Sequence, residues 1–360
     1  MIPDDAVVKC VVWDLDDTLW DGIALESPDD TLPTPRPEVL ALIDGLAARG
    51  VLSSVASRSG PSVLERLRAD GELSGRFFAP QVAWHDKSES LRRIAGELGI
   101  GLASLVLVDD SPYERAEVRA ALPEVLALAP EEAPGLLALP ALDPAGLTDE
   151  SRGRVARYRD EARRKEAEET FAGSREDFLR WCGMRVRLRT AHHADVPRIV
   201  ELAARTHRLN SSGIELDAAA VRSMVDSPDW SLPVVELTDR FGTYGMVGTA
   251  VVALPDPELG AGGAWDVRLL TLSCRVAGRG VSAAFLRWLL ELAGAAGAPT
   301  VRTPVRIGAD NMELRLLLRQ FGFRAEQDGA AAPLVTFARA TDGPLPEAPA
   351  WIECEYGAAS

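Results

Sequence analysis

The sequence is poor in cysteine, in positive charge and in long apolar runs, and each shortage excludes a class of protein. Four cysteines are present, Cys10, Cys182, Cys274 and Cys354, widely spaced and without a CxxC pair, which excludes a disulfide framework and a cysteine-based zinc site. Apolar tracts such as residues 104–108 are short and broken by proline or charge. None approaches the roughly 18 to 20 residues of a membrane span. Lys plus Arg number 39 against 54 Asp plus Glu, a formal charge of −15, and such a field opposes binding to nucleic acid or to anionic lipid. The start, MIPDDAVVKC, sets two acids before any apolar run and does not read as a signal or transit peptide. A cytoplasmic protein is the expectation.

What is present is ordinary globular composition, 47% apolar and 26% charged over 360 residues, which suggests two domains of roughly 150 residues each. Residues 7–20 begin as a buried strand and end in acids and a threonine. Pro37 opens a helical pattern closed by Gly50, a strand follows over 51–57, and further helices cover 61–69, 87–99 and 114–122 around a strand at 104–110. Strands alternating with helices imply a doubly wound parallel sheet, with its site at the carboxyl ends of the strands. The stretch 129–148 and the charged segment 150–170 read as linker and connecting helix. Basic residues gather at 152–165, either as a solvated helix face or as a local docking surface for an acidic partner.

The second half has a different grammar. A strand at 184–190 leads to helices at 194–207 and about 217–226. A hairpin joins 233–239 to 245–254, and a strand at 265–274 runs through 275-RVAGRG-280 into helix 281–294. One more strand, a helix at 310–322 and a strand near 333–339 complete an α+β domain. The resulting boundaries are 1–140 for the first domain, 141–183 for the linker and helix, 184–342 for the second domain and 343–360 for a tail.

Four polar groups fall at strand or helix ends in the first half. Asp14 and Asp16 flank Leu15 with Thr18 beyond, and strand alternation would point both carboxylates the same way, about 7 Å apart. Asp109 and Asp110 end another strand, Ser57 ends a third, and Lys87 opens a helix. Two acidic pairs can hold Mg²⁺, while Ser57 and Lys87 can neutralise a phosphoryl group. One free carboxylate can attack phosphorus and a second can carry the proton. In the second half, the glycines of 275–280 lie between strand and helix, where backbone amides and a helix N-terminus favour an anion. Cys274 stands directly before them, beside Arg275 and Arg279, a setting that favours thiolate.

The first set resembles the motifs of the haloacid-dehalogenase-like (HAD) phosphotransferases: 14-DLDDT-18, Ser57, Lys87 and 109-DDSP-112. The resemblance implies that Asp14 is the nucleophile and Asp16 the general acid/base. Asp14, Asp16 and Asp110, with Asp109 as a further candidate, would hold Mg²⁺. The interval between Thr18 and Ser57 is too short for a large cap domain, so the site would stand open to a bulky or protein-bound substrate. The second half resembles the GNAT acyltransferase fold, in which the 275–280 loop would cradle the phosphopantetheine of a thiol carrier.

Joined, the halves resemble the FkbH-like family of polyketide pathways, a HAD phosphatase of subfamily IIIC fused to a GNAT-like domain. The resemblance is carried by 11-VVWDLDDTLWDG-22, 55-VASR-58, 84-WHDKS-88, 108-VDDSPYER-115, 205-RTHRLN-210, 239-DRFGTYG-245 and 272-LSCRVAGRG-280. It implies a glyceryl transferase and phosphatase. Such an enzyme takes a three-carbon unit from 1,3-bisphosphoglycerate, holds it as a thioester on Cys274, passes it to an acyl carrier protein and removes the remaining phosphate. Thr18, Arg58, Arg275, Gly278, Arg279, Gly280, His207, Asn210 and Asn311 would contact substrate or carrier. The family usually has Asn-Gln where His207-Arg208 stand. A phosphatase with a merely carrier-docking second half is the alternative.

Overall fold

The computed structural model describes residues 8–27, 31–142, 152–206, 208–255, 263–308, 311–326 and 334–357. The chain forms two compact units, residues 1–166 and 167–360.

In unit 1, five strands, β1 (Cys10–Trp13), β2 (Leu52–Ser57), β3 (Gln81–Val82), β4 (Leu105–Val108) and β5 (Leu126–Leu128), pair in the order β3-β2-β1-β4-β5. Every pairing is parallel. Helices α1 (Pro37–Ala48), α2 (Pro61–Ala69), α3 (Lys87–Leu98) and α4 (Pro112–Ala121) connect them. Proline opens α1, α2 and α4, where its missing N–H costs nothing. Central β1 is apolar without alternation because both of its faces are covered. Val11 and Trp13 pack with Leu42, Ile43 and Leu46 of α1, while Cys10 and Val12 pack with Leu91 and Ile94 of α3 and Val118 of α4.

Helix α5 (Arg154–Thr170) carries the basic cluster, and α6 (Arg175–Cys182) is closed by Gly183 in the left-handed region, which glycine enters without a Cβ clash. Unit 2 holds a mixed nine-stranded sheet made of β6 (Met184–Thr190), β7 (Trp230–Ser231), β8 (Pro233–Asp239), β9 (Gly242–Ala253), β10 (Trp265–Leu272), β11 (Thr300–Arg306), β12 (Arg324–Ala325), β13 (Leu334–Ala340) and β14 (Ile352–Tyr356). The order is β12-β13-β11-β10-β9-β8-β6-β14, with β7 also on β9. Helices α7 (Val196–Arg205), α8 (Ala218–Asp226), α9 (Val281–Ala295) and α10 (Met312–Gln320) complete the unit. Val281, Phe285 and Leu289 of α9 are buried in the core with Val267 and Leu270 of β10.

β10 and β11 run parallel but pair only at Trp265–Val301 and Asp266–Arg302. Beyond that point the chain's own residues 209–211 bridge them. Leu272 N donates to Leu209 O at 2.9 Å, Ser211 N to Leu270 O at 2.9 Å, and Arg306 N to Ser211 O at 2.7 Å.

The expected fold class, a doubly wound parallel sheet followed by an α+β half, is the one observed. Three local expectations are corrected. Of the stretch 129–148 expected as linker, residues 130–142 form short 3₁₀ turns, with Ala133, Leu136, Leu139 and Leu142 buried in the core beside α1, and residues 143–148 lie outside the described residues. Residues 343–360 contain β14, which pairs in parallel with β6. The strand expected to reach Asp14 and Asp16 ends at Trp13, and Asp17 is left-handed at φ 55°, so strand alternation does not orient those carboxylates.

Candidate active site

The apolar strands of unit 1 deliver their charge at one edge. Asp14 directly follows β1, its amide bonded to Val108 O at 2.9 Å, and Asp109 directly follows β4, its amide bonded to Leu128 O at 3.1 Å. The sheet's hydrogen-bond ladder thus fixes both backbones. Lys87, the first residue of α3, is buried between them. Its Nζ pairs with Asp14, lies 2.8 Å from Asp109 Oδ2 and 3.2 Å from Glu114 Oε2, and donates to Ala56 O at 2.6 Å.

One oxygen each of Asp14, Asp109 and Glu114 lie within 4.8 Å of one another. Three carboxylates around one ammonium leave an excess of buried negative charge. Burial, opposed by Lys87 and reinforced by the charges of Asp109 and Glu114, pushes the Asp14 carboxyl up to about 7. Burial alone would lower the Lys87 ammonium, but Asp14, Asp109 and Glu114 outweigh it and hold it above its ordinary value. Asp110 is raised by burial and by the charges of Asp109 and Asp17. Hard oxygen donors in excess of local positive charge suit Mg²⁺. The oxygens of Asp14, Asp109 and Glu114 fit such an ion, while Asp16 and Asp110, the further ligands that the resemblance implies, are not in that close group. A bound Mg²⁺ would supply charge neutralisation at a phosphoryl group.

The other expected residues of unit 1 divide into two kinds. Asp16 is set by its neighbours, since Trp20 Nε1 and Ala24 N each donate to its Oδ1 at 2.9 Å. Thr18 is buried and its Oγ1 accepts from Asp110 N at 3.1 Å. Ser57 is buried at the end of β2. Arg58 reaches Asp86 at 3.5 Å and Glu114 at 3.6 Å. Asp16 and Asp110 lie outside the close cluster, and Glu114 lies in it.

Sequence reasoning passed over Glu114. It stands in the first turn of α4, whose N-cap Ser111 accepts from Glu114 N, and reads there as an ordinary helix-start acid. The signal was its short spacing from Asp109 and Asp110 on the one helix that follows the acidic pair.

In unit 2, Cys274 is exposed and opens a 3₁₀ turn, Cys274–Val276, capped by Ser273. The loop beyond is packed by the chain itself. A Cβ on Gly278 would meet Arg175 at 2.9 Å, and one on Gly280 would meet Pro349 at 2.8 Å and Trp351 Nε1 at 3.2 Å. Trp351 Nε1 donates to Arg279 O at 2.9 Å. Arg275 Nε donates to Ser273 Oγ at 3.3 Å. Arg279, expected to face an anion, is buried with its guanidinium 5.0 Å over the Tyr244 ring. Asn210 is buried and holds its own turn, donating to Ala203 O and Thr206 O and accepting from Gly213 N. Asn311 is buried and donates to Arg306 O. His207 lies outside the described residues. Cys10 is pushed up by burial, as is Cys354, and Cys182 is buried.

No model of a known protein family matches the sequence, and no curated protein matches it. Similarities to solved structures cover parts of the chain. The N-terminal part of BF1531 from Bacteroides fragilis, containing a phosphatase domain and complexed with Mg, is 24% identical over 39% of this chain and 41% of that one, with a TM-score of 0.34. The chain thus spans less than half of that protein. The ribosomal-protein-S18-alanine N-acetyltransferase from Escherichia coli is 14% identical over 44% of this chain and 96% of that one, TM-score 0.34. Rv2747 from Mycobacterium tuberculosis, in complex with CoA, is 18% identical over 40% and 75%, TM-score 0.30. Among the described residues, no helix is long and apolar enough to cross a membrane.

Proposed function

We propose that the protein is a two-part enzyme that loads a glyceryl unit from 1,3-bisphosphoglycerate onto an acyl carrier protein and removes the remaining phosphate. The observation that carries the phosphatase half is the buried cluster of Asp14, Lys87, Asp109 and Glu114 at the carboxyl edge of the sheet. The FkbH-like motif set supports the rest.

In this reading the Cys274 thiolate attacks the acyl carbon of the donor. The carbon–oxygen bond to phosphate breaks, leaving a phosphoglyceryl thioester and free phosphate. The carrier thiol then takes the acyl group and returns the thiolate. In unit 1 an Asp14 oxygen attacks the remaining phosphorus as Asp16 gives a proton to the leaving oxygen. Asp16 then takes a proton from water, which attacks the aspartyl phosphate and frees Asp14. Lys87 holds Asp14 and Asp109 in position and offsets the charge of the incoming phosphoryl group.

The second reading, a phosphatase with a docking module, is favoured by the packing around the 275–280 loop, where Arg175, Pro349 and Trp351 stand against its glycines. Intact mass after incubation with 1,3-bisphosphoglycerate and Mg²⁺, with and without carrier, separates the two. The first reading expects a covalent phosphoglyceryl adduct, lost in Cys274→Ala together with carrier loading. The Cys10→Ala, Cys182→Ala and Cys354→Ala proteins should load normally. Carrier charging at the normal rate by Cys274→Ala would mean direct transfer without a cysteine adduct, and a wild-type protein that forms no adduct and charges no carrier would leave the docking reading.

A further inference from the structure

A site for a small, wholly polar phosphate ester has no use for exposed apolar side chains beside it, yet the segments that carry the charged groups of unit 1 also carry exposed apolar residues. Among the described residues of unit 1, the large apolar side chains left exposed are Ile23 (43%), Leu25 (47%), Trp84 (67%) and Tyr113 (73%). They come from two loops and the first turn of α4, and all three segments carry groups of the proposed phosphate site. Ile23 and Leu25 follow Thr18 after β1, Trp84 precedes Lys87 between β3 and α3, and Tyr113 sits between Asp110 and Glu114 at the start of α4. Parallel topology puts all of these loops at the carboxyl edge of the sheet.

The loops are also fastened to the charged groups they flank. Ala24, between Ile23 and Leu25, gives its amide to Asp16 Oδ1 at 2.9 Å. The Leu25 side chain lies against Gly60 in the loop after Ser57, 3.8 Å from where a Cβ would stand. Glu114, beside Tyr113, is 3.2 Å from Lys87. Arg58 links Asp86 on the Trp84 loop to Glu114 on the Tyr113 helix. The segments that carry the apolar residues are thus held to those that carry the charged groups.

We propose that Ile23, Leu25, Trp84 and Tyr113 form an apolar collar that grips the leaving-group side of the substrate, which is therefore a phosphate carried on an extended, partly apolar arm. Exposed aromatic rings flanking a polar site are the side chains that gain most from being covered. The collar rests on the phosphatase part of the function proposed above; if the carrier part also holds, the arm is that of a carrier-bound phosphoglyceryl thioester.

Calorimetric titration of the full chain in Mg²⁺ with ethylphosphonate and octylphosphonate tests it, since neither ligand turns over. The wild-type protein should bind octylphosphonate about tenfold tighter or more. That ratio should fall towards one in Trp84→Ala and in Tyr113→Ala, and Trp84→Phe should keep most of it. Any wild-type result without a chain-length advantage overturns the proposal, as does an advantage that survives both alanine variants. Hydrolysis of a phosphoglyceryl-pantetheine thioester by the wild-type protein is the separate arm. Its failure beside an intact chain-length advantage sinks the carrier function and leaves the collar standing.

Discussion

Lys87 Nζ lies 2.8 Å from Asp109 Oδ2, and the two side chains are 2% and 0% exposed. A buried cation facing three carboxylates holds the fold together at this edge of the sheet. Lys87→Met removes it and leaves Asp14 and Asp109 without their cation, with Arg58 still 3.6 Å from Glu114. Losing one partner of a buried ionic cluster costs about 3 to 5 kcal/mol. The variant should melt well below the wild-type protein in EDTA and recover part of the difference in Mg²⁺, which replaces the missing positive charge. Thermal unfolding in the two buffers measures this; an unchanged Tm in EDTA would contradict the cluster.

Unit 2 holds a different charge network, at the end of β6. Arg189 donates to Asp195 Oδ2 at 2.6 Å and Oδ1 at 2.9 Å and also reaches Glu236. Burial acts to raise Asp195, but the hydrogen bonds from Arg189 and from the His192 amide hold it below the ordinary carboxylate value. A folded-state pKa below the unfolded one contributes stability that is present above the unfolded value and is lost as pH falls through the folded one. Asp195→Asn should therefore cost about 1 to 2 kcal/mol near neutral pH, with the gap to wild type closing below the ordinary carboxylate pKa. Urea unfolding near pH 7 and near pH 3 checks the sign; a gap that widens in acid would refute it.

The bridge across the splayed strands makes a third expectation. Ser211 Oγ accepts from Leu270 N at 2.9 Å, while Ser211 N donates back to Leu270 O at 2.9 Å. Ser211→Ala keeps the second bond and strands a buried amide, at a cost of about 1 to 3 kcal/mol. A urea midpoint equal to wild type would show that residues 209–211 do not hold β10 in this way.

How much of this was legible beforehand follows from where the signal lies. β6, β8 and α2 fall on their expected spans because strong alternation or a proline start marks them in the local sequence. β3, with two residues, β5 with three, and β14 become strands only by pairing with β2, β4 and β6, which no local pattern announces. Asp14, Lys87 and Asp109 were readable as groups at element ends. Their inward convergence depends on β1 and β4 being adjacent, and that adjacency is a property of the sheet. Glu114 and the exposed Trp84 and Tyr113 needed the fold, because an acid in a first turn or an aromatic in a loop has many ordinary explanations. The arginines of 152–165 divide likewise: Arg154 donates to Gly50 O at 2.8 Å and Arg164 is buried, while Arg163 pairs with Asp160 within the helix.

Phosphate release by Asp14→Asn tests the central claim most directly. The substitution keeps the side chain's size and removes a buried charge whose carboxyl is already held up at about 7, so the fold should survive, with Lys87 still facing Asp109 and Glu114. An amide cannot become an acyl phosphate, and release from a phosphorylated substrate in Mg²⁺ should fall roughly 10³-fold or more. A folded Asp14→Asn protein that releases phosphate at close to the wild-type rate would contradict the account.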